Sequence, residues 1–138
     1  MIIEEYPHSD ITEEIIGAIY EVYNRLGPGF LESVYENALV IALIKRGLQV
    51  KQQKCYRIIY DNQIIGEHRL DLLINNKVII EIKAVKGIMP SVYKAQLISY
   101  LKLTKMLVGL LVNFGDDTIE MKRLQNKWEL DRLKKEKK

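Results

Sequence analysis

The sequence predicts an α/β protein, a mixed sheet with flanking helices, in the order helix, helix, three strands, helix, two strands. Three observations predict it. Two apolar stripes of helical period, Ile15 to Leu26 and Leu31 to Leu43, are separated by Gly27-Pro28-Gly29. Three strand-like runs follow, 49–60, 64–74 and 78–85, with turn signals at Asp61-Asn62 and Asn75-Asn76. A third helical stripe from Val92 to Leu103 then leads into the strongly apolar run 106–114. A helix between two apolar strands is the usual crossover of a parallel pair, so the sheet should be mixed.

Each element has its own signals. Residues 1–8 read as an irregular lead-in, with room for a short strand. Asp10 followed by Glu13 resembles a capping box and opens the first helix, whose stripe is Ile15, Ile16, Ile19, Tyr20, Val22, Tyr23 and Leu26. The second helix runs from about Phe30 to Gly47, with Leu31, Val34, Tyr35, Ala38, Leu39, Ala42 and Leu43 on its inner face. In the first strand Val50, Cys55, Tyr56, Ile58 and Ile59 are candidates for burial, and Cys55 reads as a small core residue. Gly66 marks an irregularity in the second strand. The third, apolar on both faces apart from its charges, reads as central and covered on both sides. Ser91 is a candidate cap for the crossover helix, 118–124 an edge strand, and 126–138 a basic helix fraying toward its lysines.

The chain has 138 residues, 28% charged and 48% hydrophobic, which fits one globular domain over residues 1–138. Its start lacks the layout of a signal peptide, and no apolar run approaches the roughly 20 residues of a membrane span. A single cysteine leaves no disulfide framework, and a cytoplasmic setting is expected. The net charge of +3 permits a nucleic-acid partner without demanding one.

Three charges break the apolar pattern of 70–85: Asp71, Glu81 and Lys83. A charge within a buried strand is costly unless it is paired or bound to a metal. Alternation puts Glu81 and Lys83 on one face. With a two-residue turn at Asn75-Asn76, Asp71 would oppose Ile80 and point away. With a three-residue loop, Asn75 to Lys77, Ile74 pairs with Val78 and Asp71 with Glu81. Asparagine tolerates the left-handed backbone such a loop needs, so the odd-length loop, or an equivalent bulge, is expected. Two carboxylates placed opposite repel unless a cation lies between them. Mg²⁺ or Mn²⁺ suits such oxygens, and a lysine one pleat along would reach a phosphate or its attacking water. This points to hydrolysis of a phosphodiester bond.

Asp71 followed by Glu81-Ile82-Lys83 resembles the signature of the PD-(D/E)xK nuclease superfamily, and the elements from the second helix to Phe114 are similar to its restriction-endonuclease-like αβββαβ core, here about 27–114 with an added N-terminal helix and a C-terminal strand and helix. Gln96-Leu97-Ile98-Ser99-Tyr100 resembles the Q-x-x-x-Y motif of one branch, and Gly29-Phe30-Leu31-Glu32-Ser33-Val34-Tyr35 the pattern naming the GxxExxY family. The residue before Asp71 is Leu70, so the proline of the superfamily's name is absent. The resemblance implies that Asp71, Glu81 and the Ile82 carbonyl hold Mg²⁺ or Mn²⁺, with Glu32 adding a carboxylate directly or through water. It implies that Lys83 is the catalytic lysine, and that Gln96 and Tyr100 line the site. The expected substrate is DNA, with RNA open.

Competing readings come from the same residues. The charged set could form a structural ion pair, and the fold could bind nucleic acid or a protein without chemistry. Glu32 is also what a helix's first turn favours, by about 0.3–1 kcal/mol. Tyr35 has helical spacing to Leu31 and Leu39 and suits the core. His68 has the parity of Leu70 and Leu72, so a regular strand turns it away from Asp71. Lys51, Lys54, Arg57, Arg69, Lys86 and Lys94 are candidates to track phosphates. The first helix and the Trp128 segment offer apolar surface for a homodimer or protein partner.

Overall fold

The structure is a computed structural model that describes residues 6–136. A central five-stranded sheet has the order β1-β2-β3-β4-β5, from β1 (Val50–Tyr60) through β2 (Gln63–Ile74), β3 (Val78–Lys83) and β4 (Val108–Asn113) to β5 (Glu120–Gln125). All neighbours are antiparallel except β3 and β4, which run parallel. The crossover between them is α3 (Ser91–Thr104). The mixed sheet, its central third strand and its edge strand β5 agree with the sequence pattern.

Helices α1 (Ser9–Leu26) and α2 (Glu32–Lys45) cover one face of the sheet. Their Ile15, Ile19, Tyr35, Leu39 and Leu43 pack on Leu72, Ile74, Ile80, Ile82, Leu110 and Val112. The opposite face belongs to α3, whose Leu97 and Leu101 pack on Leu70, Leu73, Ile79 and Leu111. β3 is thus buried from both sides, which is why its sequence is apolar throughout. The last helix, α4 (Lys127–Glu136), is tied on by Asn126. Its Nδ2 donates to the carbonyls of Leu101 and Met106, and its Oδ1 accepts from the Glu129 N–H as a helix cap.

Several local expectations change. No side chain caps α1: His8 stands before it with φ 61° and Asp10 lies in the first turn. Pro90, not Ser91, precedes α3. Leu31 and Val34 are exposed, because α2 starts one residue after Leu31 and buries only its later face. The β1–β2 hairpin extends well beyond β3, leaving Ile59 and Cys55 exposed. Cys55 is therefore no core residue; its thiol donates to Glu67 Oε2 at 2.9 Å. The irregularity near Gly66 is present as a register shift, with Ile58 opposite Gly66 and Ile59 opposite Ile64. The expected lead-in strand falls partly, and Lys137 and Lys138 wholly, outside the described residues.

Candidate active site

The loop joining β2 to β3 has three residues, as the parity of the charges requires. Asn75 and Asn76 have φ 52° and 55°, the Lys77 N–H donates to the Ile74 carbonyl at 2.9 Å, and Ile74 pairs with Val78. The ladder continues through Leu73 with Ile79 to Leu72 with Ile80, and there it stops. Beyond this point β2 follows β1 alone and parts from β3. Asp71 and Glu81, the next residues on the two strands, face each other across the opening fork.

The fork is where regular alternation ends. Leu72 and Ile74 pack beneath α1 and α2, and Leu73 beneath α3. Strict alternation would send Leu70 with Leu72, yet Leu70 packs beneath α3. On β1 the same switch separates Val50, on the α1/α2 side, from Tyr56, on the α3 side. Between the pairs Gln52 with Leu72 and Lys54 with Leu70 sits Gln53, with φ 53°. One left-handed residue re-aims the strand, and non-glycine residues adopt that conformation at a cost of about 1–2 kcal/mol.

This twist gathers the polar groups. Asp71 Oδ2 accepts the Ile82 N–H at 2.7 Å. Strand geometry directs the Ile82 carbonyl to the same side as its N–H, into the gap that β2 leaves. Glu81 is 5% exposed. Its carboxyl is pushed up to about 9, first by burial, then by the Asp71 charge and a hydrogen bond with Asp71; Lys83 pulls the other way. Lys83 Nζ lies 4.4 Å from the centre of the Tyr93 ring, a cation–π contact that holds it beside Glu81.

His68 corrects the parity argument. The switch at Gln53 brings it to the α3 side, where Nε2 lies 3.5 Å from Glu81 Oε1 and the ring stacks on Tyr100, centroids 3.5 Å apart. Burial chiefly lowers the His68 pKa, and burial followed by the Glu81 and Asp71 charges raises that of Tyr100. Tyr100 therefore lies beside His68 and the two carboxyls. Gln96, one turn earlier on α3, is exposed.

Glu32 lies on the other wall. It shares an open cleft of about 830 Å³ with Asp71, Gln53, Glu36 and Ala84. The loop before it explains its position. Tyr35, fully buried, donates from its hydroxyl to the Gly27 carbonyl at 2.6 Å and accepts the Phe30 N–H at 3.1 Å, while its ring stacks on Phe114. Gly29 turns there at φ 111°. The glycine and tyrosine of the Gly29-to-Tyr35 pattern thus build the loop that delivers the glutamate. Glu36 was not singled out from sequence. Its two oxygens accept from the Gln52 and Gln53 amides, each at 2.9 Å, and tie α2 to the twisted part of β1. Its spacing of four from Glu32 was the available signal.

The far end of β3 is fixed by β4. The Lys83 carbonyl accepts the Phe114 N–H at 2.9 Å, and the Asn113 side chain bonds both the N–H and the carbonyl of Val85. A Cβ on Gly115 would lie 2.3 Å from the Val85 nitrogen, so only glycine lets the two chains cross here.

Among the described residues, no three His, Cys, Asp or Glu side chains form a metal cluster by themselves. The fork instead presents two carboxylates and a backbone carbonyl, a donor set suited to a hard divalent ion that keeps several waters.

Comparison with known proteins gives a family and a fold. No curated protein matches the chain. A solved structure, "Crystal structure of SSO0001", superposes with a TM-score of 0.55 at 24% identity over 92% of this chain, which spans 65% of that one, and it supports the fold alone. The family model of the PD-(D/E)XK nuclease superfamily matches residues 9–124. The chain belongs to the PD-(D/E)XK nuclease superfamily.

Proposed function

We propose that this protein is a metal-dependent nuclease that hydrolyses phosphodiester bonds in DNA, and that Gly29, Glu32 and Tyr35 place it in the GxxExxY branch. The observation that carries this is the Glu81 carboxyl, buried against Asp71 with its pKa pushed to about 9. A second acid this close is a liability in a purely structural site, whereas a divalent cation makes the pair favourable.

The residues fit such an ion. Asp71, Glu81 and the Ile82 carbonyl would hold Mg²⁺ or Mn²⁺, and Glu32 would reach it directly or through water from the cleft wall. When bound, the ion polarises the phosphate and lowers the pKa of its water. The protein's own groups do the rest. Glu81 would give up its proton to hold the ion. His68, stacked on Tyr100, steadies the Glu81 carboxylate. Lys83, held over Tyr93, places a positive charge where negative charge grows on the phosphate, and donates a hydrogen bond to it or to the attacking water. Exposed Lys54, Arg57, Arg69 and Lys86 are available to neighbouring phosphates.

The experiment compares cleavage of single- and double-stranded DNA, and of RNA, with Mg²⁺ or Mn²⁺ by wild type, Lys83→Ala and Asp71→Ala. Cleavage by wild type alone supports the reading, and equal activity in all three ends it. The second reading is a module that binds nucleic acid or a protein without chemistry. It is favoured by the lack of a third converging acid among the described residues, and Mn²⁺ binding at the fork without any cleavage would select it.

A further inference from the structure

The flank of α3 turned toward β5 carries a different kind of site. Between α3, β5 and α4 lies a cavity of about 430 Å³. Lys94, Arg123 and Lys127 reach its wall, and no carboxylate lines it among the described residues. Arg123 is the unusual member. Nη1 donates to Thr12 Oγ1 at 3.3 Å, and Nη2 donates to the Pro7 carbonyl at 2.7 Å and Gln125 Oε1 at 3.1 Å. All three acceptors are neutral, and Nε is buried with no partner among the described residues. A guanidinium taken partly out of water without a counter-charge is a costly arrangement that an incoming anion relieves.

The rest of the wall is aromatic and apolar. Trp128 is 58% exposed and Tyr6 60%. Lys102, which stands outside the cavity, sits 3.7 Å from the centre of the Trp128 ring and steadies it. Ile98, Leu124 and the polar Gln125 complete the described surface. Three cations beside two exposed rings ask for a ligand with an anionic end and a flat aromatic end.

We propose that this cavity binds a nucleoside phosphate, its base against Trp128 and Tyr6 and its phosphate on Lys94, Arg123 and Lys127. The space suits one nucleotide and excludes a duplex. A free nucleotide and an unpaired nucleotide at the end of a strand present the same groups, so either source satisfies it. The cavity lies on the other flank of α3 from Tyr93 and Tyr100, and its occupancy does not depend on chemistry at the fork.

Trp128 is the single tryptophan of the chain, so its fluorescence reports on the cavity directly. The test titrates the Lys83→Ala protein with dAMP, with a short single-stranded oligo-dA and with inorganic phosphate. The expected result is saturable quenching by dAMP or the oligonucleotide, at least tenfold weaker after Lys94→Ala and Lys127→Ala together, with phosphate competing only weakly. Tighter binding of dAMP identifies the free nucleotide, and tighter binding of the strand identifies its end. Both lysines are exposed, so an unchanged melting temperature verifies that the double variant folds. No saturable change with either nucleotide form, equal affinity in the double variant, or phosphate binding as tightly as dAMP would each overturn the proposal.

Discussion

The two flanks of α3 are opposites. On the side of β2, Asp71 and buried Glu81 face each other with Lys83 as the one nearby lysine for two carboxyls. On the side of β5, Lys94, Arg123 and Lys127 surround a cavity with no acid among the described residues of its wall. Leu97 and Leu101 anchor the helix between them. Each flank is electrostatically incomplete, and what would complete each differs: a cation for the first, an anion for the second. An incomplete charge set inside a folded protein is a better sign of a ligand than any single charged residue, since surface pairs contribute little either way.

The largest expected effect breaks the acid flank. Lys83→Ala should lower DNA cleavage by about a hundredfold or more while leaving the fold intact, because its charge acts on the reacting phosphate. Gly115→Ala should be the largest change in stability. The added methyl meets the Val85 backbone, which cannot swing aside as a side chain can, and a loss of about 2–3 kcal/mol on thermal or denaturant unfolding is expected.

Glu81→Gln separates stability from function. Without metal, the folded protein holds the Glu81 proton up to about pH 9, whereas an unfolded chain releases it near the ordinary 4.5. The folded state therefore binds more protons between those values, and wild-type stability should fall as pH rises through that window, by up to about 1.4 kcal/mol per pH unit. Glutamine cannot ionise. At pH 8 the variant should be more stable than metal-free wild type, by about 1–3 kcal/mol, yet gain less from Mn²⁺ than wild type does. Urea unfolding across pH checks the sign.

His68→Ala should weaken Mn²⁺ binding or cleavage by about tenfold, the scale of a group that orients a ligand without touching the ion. At the small end, Lys127→Ala alone should leave cleavage of a short duplex unchanged. A large loss there would mean that the two flanks serve one site.

Much of the architecture is legible in the chain, and the reasons are local. The Asn75-Asn76 signal, combined with the positions of Asp71 and Glu81, selects the three-residue loop that is observed. Tyr35 and Val78 to Lys83 carry their burial in their spacing. What stays hidden traces largely to Gln53. Glutamine carries no preference for the left-handed region, so nothing marks β1 as twisted there, and the parity argument for His68 fails downstream of it. Cys55 misleads for a different reason: the hairpin outruns its neighbours, and no strand pattern reveals that a strand has lost its cover. The cationic cavity depends on residues 6, 94, 98, 123–125, 127 and 128, which only the fold brings together.

Calorimetric titration of Mn²⁺ into wild type, Asp71→Ala and Glu81→Gln, in buffers of different ionisation enthalpy near pH 7, tests the central claim most directly. One wild-type site is expected, its filling releasing about one proton, since Glu81 starts uncharged. Both variants should bind at least about tenfold more weakly. Absent binding in wild type, or equal affinity in all three proteins, would contradict the claim.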